Sequence, residues 1–263
     1  MYYHLYTLLI EQKCIYEGLT VIRLQLRLLK FTPLWMMIII LSVCAFSSSA
    51  VFIRADSVNP GIFSKDSAPY GIPYGEWLAK WWQWSFSIPA AQHPRDEYTP
   101  EKCAINQEGP VWFMADQLGG QEERTCTVPA GKAIFVPLLV GECDYSSPDV
   151  KSDEALRRCA MAGNEYGVIE ATVDGVKIKN LEQYRTQSGF FNLTIADGNI
   201  YGQPAGTYRA FADGFFVFLE PLPPGKHDVN LKVSVLNPIE QQYNYNADWT
   251  YHLIIANPTN STK

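Results

Sequence analysis

From residue 105 onward the chain reads as a succession of short runs rich in β-branched and aromatic residues, most of them with no helix-length pattern in between. GPVWFM, KAIFVPLLV, GVIEATV, FFNLTIA, GFFVFLE, DVNLKVSV and DWTYHLII, separated by Gly, Pro, Asn and Asp, have the composition of strands. Val229, Leu231, Val233 and Val235 alternate with Asp228, Asn230, Lys232 and Ser234, which predicts one dry and one wet face. Asp174-Gly175 sits between two such runs and predicts a tight hairpin, because a type I′ turn needs positive φ at both central residues. Strands that follow one another without crossover helices pack as antiparallel sheets. The expected fold is therefore mainly β: an antiparallel β-sandwich or jelly-roll-like domain with two short helices. At 263 residues and 47% hydrophobic content the chain can fill such a core, and no repeat or low-complexity tract interrupts it.

The two helices are marked by capping chemistry and period. PYGEWLAKWWQWSFSIP predicts a helix that begins near Pro73 and ends before Pro89. On a 3.6-residue period Trp77, Trp81, Trp84 and Ile88 share one stripe, and Trp82 points away from it, which leaves Trp82 partly in water if the stripe packs on a sheet. The second helix is expected from about Asp153 to Ala162, with Ser152 as its N-cap and Gly163 as a left-handed stop.

The first 55 residues differ in kind. Arg23, Arg27 and Lys30 precede LWMMIIILSVCAFSSSAVFI, a charge-free run of 20 residues over 34–53. A basic segment, an apolar core and the small residues Ser48-Ser49-Ala50 fit a cleaved signal peptide. The same run is long enough to anchor the chain in a bilayer if it stays uncleaved. Both readings place the remainder outside the cytoplasm. The expected organisation is a signal or anchor over 1–55, a linker over 56–67, one β-rich domain over 68–256 and a tail over 257–263. Beyond residue 55, 16 Lys and Arg face 25 Asp and Glu, a net charge of −9, which excludes a phosphate-seeking nucleic-acid surface. Four cysteines remain there. An even number in an oxidising compartment predicts two disulfides, and of the three possible pairings Cys103 with Cys126 and Cys143 with Cys159 close the short local loops. Asn192-Leu-Thr and Asn260-Ser-Thr match the glycosylation acceptor pattern.

Three constellations carry candidate chemistry. Trp77, Trp81, Trp82 and Trp84 serve either as core packing or as a stacking platform for the flat apolar face of a sugar. Glu142 and Asp144 follow a strand at i, i+2, which in extended chain puts both carboxyls on one face about 7 Å apart. That pair, or Glu76, would suit acid and base work on a glycosidic bond. With Asp149 it would suit a calcium ion, the one cofactor the composition suggests. The pair could equally sit in a solvated loop with no chemical role. His227 and His252 would be separated if the last hairpin were symmetric about Gln242, with His252 opposite Lys232, so a shared metal is not expected. No Gly-x-Ser-x-Gly elbow and no Gly-rich phosphate loop occurs.

YGIPYGEWLAKWWQWSFSIP, GPVWFM, CTVPAGKAIFVPLL, PLPPGKH and DWTYHL together resemble an uncharacterised family of exported microbial proteins, over about residues 68 to 256. The resemblance implies export and a single compact domain, and carries no activity. The expected function is a non-catalytic secreted or cell-surface module that binds an extracellular ligand, such as polysaccharide, through aromatic residues. The alternatives are a carbohydrate-active enzyme using the acidic pair and a purely structural envelope protein.

Overall fold

The computed structural model describes residues 59, 61–95, 99–116, 119–237 and 242–257. The expected signal segment over 34–53 and the sequon at Asn260 lie outside the described residues. Residues 56–263 form one compact unit. Its strands are β1 (Val111–Phe113), β2 (Gly120–Pro129), β3 (Ala133–Asp144), β4 (Gly167–Val173), β5 (Val176–Lys177), β6 (Arg185–Gln187), β7 (Phe191–Ile195), β8 (Gly206–Leu219), β9 (Gly225–Asn237) and β10 (Gln242–Ala256). The helices are α1 (Tyr74–Phe86), the single turn α2 (Pro100–Cys103) and α3 (Asp153–Ala162).

The strands form two five-stranded sheets packed as a sandwich, one in the order β1-β3-β8-β6 with β7 also on β8, the other β2-β10-β9-β4-β5. The sheets are mixed rather than wholly antiparallel. β1 runs parallel to β3, and β2 runs parallel to β10 over ten residue pairs. A parallel pair cannot be joined by a tight turn, and almost the whole domain lies between β2 and β10 in sequence. β2 was not among the expected strands, because Gln121, Glu122 and Glu123 give its first half no apolar alternation. Only Arg124, Cys126 and Val128 turn inward.

Asp174 and Gly175 adopt φ of 50° and 77° and close β4 onto β5, as their sequence predicts. The predicted dry face of β9 is in place, with Val229, Leu231 and Val233 buried. The last hairpin departs from its expected register: His252 lies opposite Asp228, and Asp248 opposite Lys232. Asn237 at the end of β9 pairs with Gln242 at the start of β10. The packed domain also begins earlier than residue 68. Ile62 is buried and bridges to Leu219, and the Phe63 amide donates to the Phe218 carbonyl at 2.9 Å.

Helix α1 follows Pro73, whose ψ of 150° keeps it outside the helix, and lies against β6, β7 and β8. Gly75 permits that approach, since a Cβ there would run into the Gln187 carbonyl on β6. Gly75→Ala is expected to push the helix off the sheet and cost about 1–3 kcal/mol, to be read from the urea midpoint.

All four tryptophans of α1 are buried: Trp81 is 0% exposed, Trp77 5%, and Trp82 and Trp84 6% each. Trp81 stacks on Phe135, which stacks on Phe216, while Trp77 meets Phe218 and Phe113 edge-on. The expectation that Trp82 stands partly in water is thus corrected. Its ring is held between Trp81, Phe86 and Tyr201.

Helix α3 is capped by the Ser152 hydroxyl, which accepts from the Ala155 amide at 3.1 Å. Gly163 follows it in a right-handed rather than left-handed conformation. The neighbouring Asn164 side chain donates to the Ala160 and Asp213 carbonyls, so the helix end is satisfied without a left-handed residue. The two disulfides join Cys103 to Cys126 and Cys143 to Cys159. The first pins α2 to β2 and the second pins α3 to β3. Two such bonds fit an extracytoplasmic protein. Among the described residues no helix is long and apolar enough to cross a membrane.

Candidate functional site

The C-terminal half of α1 delivers Trp82 and Ser85 to a polar cluster that four other segments complete. Ser85 falls on the buried side of the helix, where its hydroxyl must find partners. It lies 3.0 Å from His93 Nε2 and 2.6 Å from the Tyr201 hydroxyl. Tyr201 in turn donates to Asp116 Oδ1 at 3.5 Å, and Arg95 faces the other Asp116 oxygen at 3.4 Å. The Arg95 guanidinium sits 4.8 Å above the Tyr201 ring.

Core aromatics hold these segments in place. The Trp81 indole donates to the Met114 carbonyl at 2.8 Å, and the Tyr251 hydroxyl to the Ala115 carbonyl at 2.5 Å. Together they fix the extended residues that lead into Asp116. Arg124, paired with Glu122, donates to the carbonyls of Pro94 and Arg95 at 3.1 and 2.9 Å. That contact fixes the backbone behind His93.

The Ser85–His93 contact has the residues of a nucleophile and its base, and its hydrogen bonds assign it another role. The Arg95 amide donates to His93 Nδ1 at 3.0 Å, so the neutral ring carries its proton on Nε2 and donates to Ser85. Burial, reinforced by the charge of Arg95, pushes His93 down to about 4 and keeps the ring neutral. Ser85 then gives its proton to Tyr201, and Tyr201 to Asp116. The polarity runs from His93 toward Asp116, opposite to what activation of the serine requires.

Glu142 and Asp144 lie on one face at the end of β3, as their i, i+2 spacing predicts. Burial, and then the Asp144 charge, pushes Glu142 up to about 9, so it stays protonated at neutral pH. Asp144 is buried and accepts from the Ser146 amide at 2.5 Å.

Glu142 also acts on Tyr201, whose phenol is driven upward by burial and by Asp116, with Glu142 adding to the shift. Burial raises Asp116 as well, against the pull of Arg95. The remaining predicted carboxylates are not brought in. Glu76 lies in the first turn of α1, roughly 14 Å along the axis from Ser85. Asp149 is exposed, and among the described residues no group of three or more His, Cys, Asp or Glu could hold a metal ion. His227, at the start of β9, pairs with Asp174 of the β4–β5 turn at 2.8 Å, and His252 pairs with Asp228 at 2.7 Å on the wet face of the second sheet.

A second feature lies on the outer side of α1. A groove of about 700 Å³ is lined by Trp77, Lys80, Gln83, Trp84, Asn106, Glu108 and Phe113, among others. It shares Gln83 and Ser87 with a hollow of about 300 Å³ that reaches Asn192 and Thr194 on β7. The indole nitrogens of Trp77 and Trp84 are engaged by the carbonyls of Pro69 and Ile105, so these rings offer the groove only apolar edges.

The polar cluster was not foreseen, since its members come from five separated segments and none forms a local motif. Its one sequence signal is Ser85, a hydroxyl among the tryptophans on the helix face that is otherwise apolar. Compared with protein-family models and with curated proteins, the chain matches none.

Proposed function

We propose that this protein is an exported, non-catalytic, disulfide-bonded β-domain that binds an extracellular glycan along the outer groove of α1. The observation that carries the reading is the lining of that groove. Apolar edges of Trp77, Trp84 and Phe113 alternate with the exposed polar side chains of Lys80, Gln83, Asn106 and Glu108. A sugar polymer presents the same alternation of apolar ring faces and hydroxyls, and a shallow open groove suits a chain rather than a small enclosed molecule. The two disulfides and the net negative surface agree with life outside the cytoplasm and with a neutral polymer as ligand.

The test is titration of the exported protein with cell-wall and exopolysaccharide fractions. Saturable binding is expected for at least one fraction. Lys80→Ala and Glu108→Ala should each weaken it about tenfold, the loss of one hydrogen bond to a charged group. Absence of saturable binding by every fraction would sink the proposal.

A further inference from the structure

Of the two glycosylation acceptor patterns in the chain, Asn192-Leu193-Thr194 falls on strand β7. Successive side chains of a strand point to opposite faces, so the middle residue of the pattern is separated from the outer two. Leu193 is fully buried, and with Ile195 it anchors β7 to the core. Asn192 and Thr194 are therefore turned outward together, and both are exposed. Shifted by one residue along β7, the same pattern would bury its asparagine.

The groups around Asn192 are committed to other partners. Thr194 shares a hydrogen bond of 3.1 Å with Thr207 of β8. Arg209, directly opposite Asn192 on β8, is held by both oxygens of Asp153 and lies over the Phe190 ring at 4.2 Å. Gln83 of α1 donates to the Asn192 backbone carbonyl at 2.9 Å. The Asn192 carboxamide enters no hydrogen bond with the described residues, which leaves its Nδ2 free to carry a substituent. Space adjoins it as well. The hollow of about 300 Å³ is lined by Gln83, Ser87, Asn192, Thr194 and Ala196, and all of these except Ala196 can hydrogen-bond a sugar hydroxyl.

We infer that Asn192 is an N-glycosylation site of the exported protein, with the first sugar lying over this hollow. In the transfer Asn192 Nδ2 forms a bond to C1 of the first sugar of a lipid-phosphate-linked oligosaccharide. The bond from C1 to the phosphate oxygen breaks, its electron pair leaves on the lipid phosphate, and Nδ2 gives up one proton to solvent. In the finished fold β7 is laddered to β8, so transfer belongs to the stage of export before β7 docks. A bulky hydrophilic group at this position costs the fold nothing, because the face it occupies is already solvated. The inference is independent of the glycan reading of the outer groove: a covalent glycan is placed by a transferase, not by affinity for α1.

Mass spectrometry of the protein purified from the cells that export it tests the assignment. Trypsin cuts after Arg185 and Arg209, so Asn192 falls in the peptide over 186–209, which holds no other acceptor pattern. Asn260 falls in a separate peptide beyond Lys232. The 186–209 peptide is expected to be heavier by whole sugar units, with fragmentation locating the addition at Asn192. Thr194→Ala removes the hydroxyl on which the acceptor pattern depends and keeps Asn192 in place, and should leave the peptide bare. Thr194→Ser retains the hydroxyl and should retain the sugar. A bare 186–209 peptide in the native protein, sugar found on Asn260 alone, or sugar that persists at Asn192 in Thr194→Ala would each overturn the assignment. None of these results touches the groove, which is judged on polymer binding and its loss in Glu108→Ala.

Discussion

Trp81→Ala is expected to lower stability by about 3–5 kcal/mol, the largest effect of any single truncation in α1. Trp81 has no solvent exposure, and its ring is stacked on Phe135 and edged by Trp82. Truncation removes that apolar area, leaves a cavity that the sheet residues around it cannot fill, and strips the Met114 carbonyl of its 2.8 Å donor. For a domain of this size each kcal/mol corresponds to roughly 2–4 °C in the midpoint of thermal unfolding. Trp81→Phe separates the two contributions, because it retains most of the ring and loses only the hydrogen bond, with an expected cost of about 1–2 kcal/mol. A melting point for Trp81→Ala within a few degrees of wild type would show that the tryptophans do not anchor the core.

How far the sequence carried this picture depended on how local each feature was. The Asp174-Gly175 turn, the alternation in β9 and the Ser152 cap are each decided by neighbours within a few residues, and each stands in the fold as the sequence predicts. Both disulfides likewise close short stretches of 23 and 16 residues. What escaped is long-range. The parallel pairing of β2 with β10 has no signature in either strand, and the first half of β2 is polar because it lies at a sheet edge. Trp82 was expected in water because helical period separates it from the stripe of Trp77, Trp81 and Trp84. The period cannot foresee that Phe86 and Tyr201 close over it from beyond the helix. The carboxyl pair on β3 was legible as a pair, since alternation places residues i and i+2 on one face. Ser85, His93, Arg95, Asp116 and Tyr201 converge only once the fold exists.

The alkaline side of the stability profile should belong to Glu142. Its carboxyl has an ordinary value of 4.5 in the unfolded chain and is pushed up to about 9 in the fold, chiefly by burial and next by Asp144. Between those two values the folded protein holds a proton that the unfolded chain has released. Stability contributed in this way is complete below the lower value, falls as pH rises through the window, and is gone above the higher one. Asp116, also raised by burial, acts in the same sense. His93 acts in the opposite sense, since burial and the neighbouring Arg95 lower it from 6.5 to about 4. In that range the unfolded chain takes up a proton that the folded one refuses, so stability falls as pH falls from 6.5 toward 4. The two slopes oppose each other on the acid side and leave Glu142 unopposed above neutrality. Glu142→Gln keeps the shape and cannot ionise. Its stability relative to wild type is therefore expected to rise with pH, by at most about 1.4 kcal/mol per pH unit, in urea titrations from about pH 6 to about pH 9. Parallel profiles for the two proteins would place that proton elsewhere, and diverging ones would assign it to the buried Glu142 carboxyl.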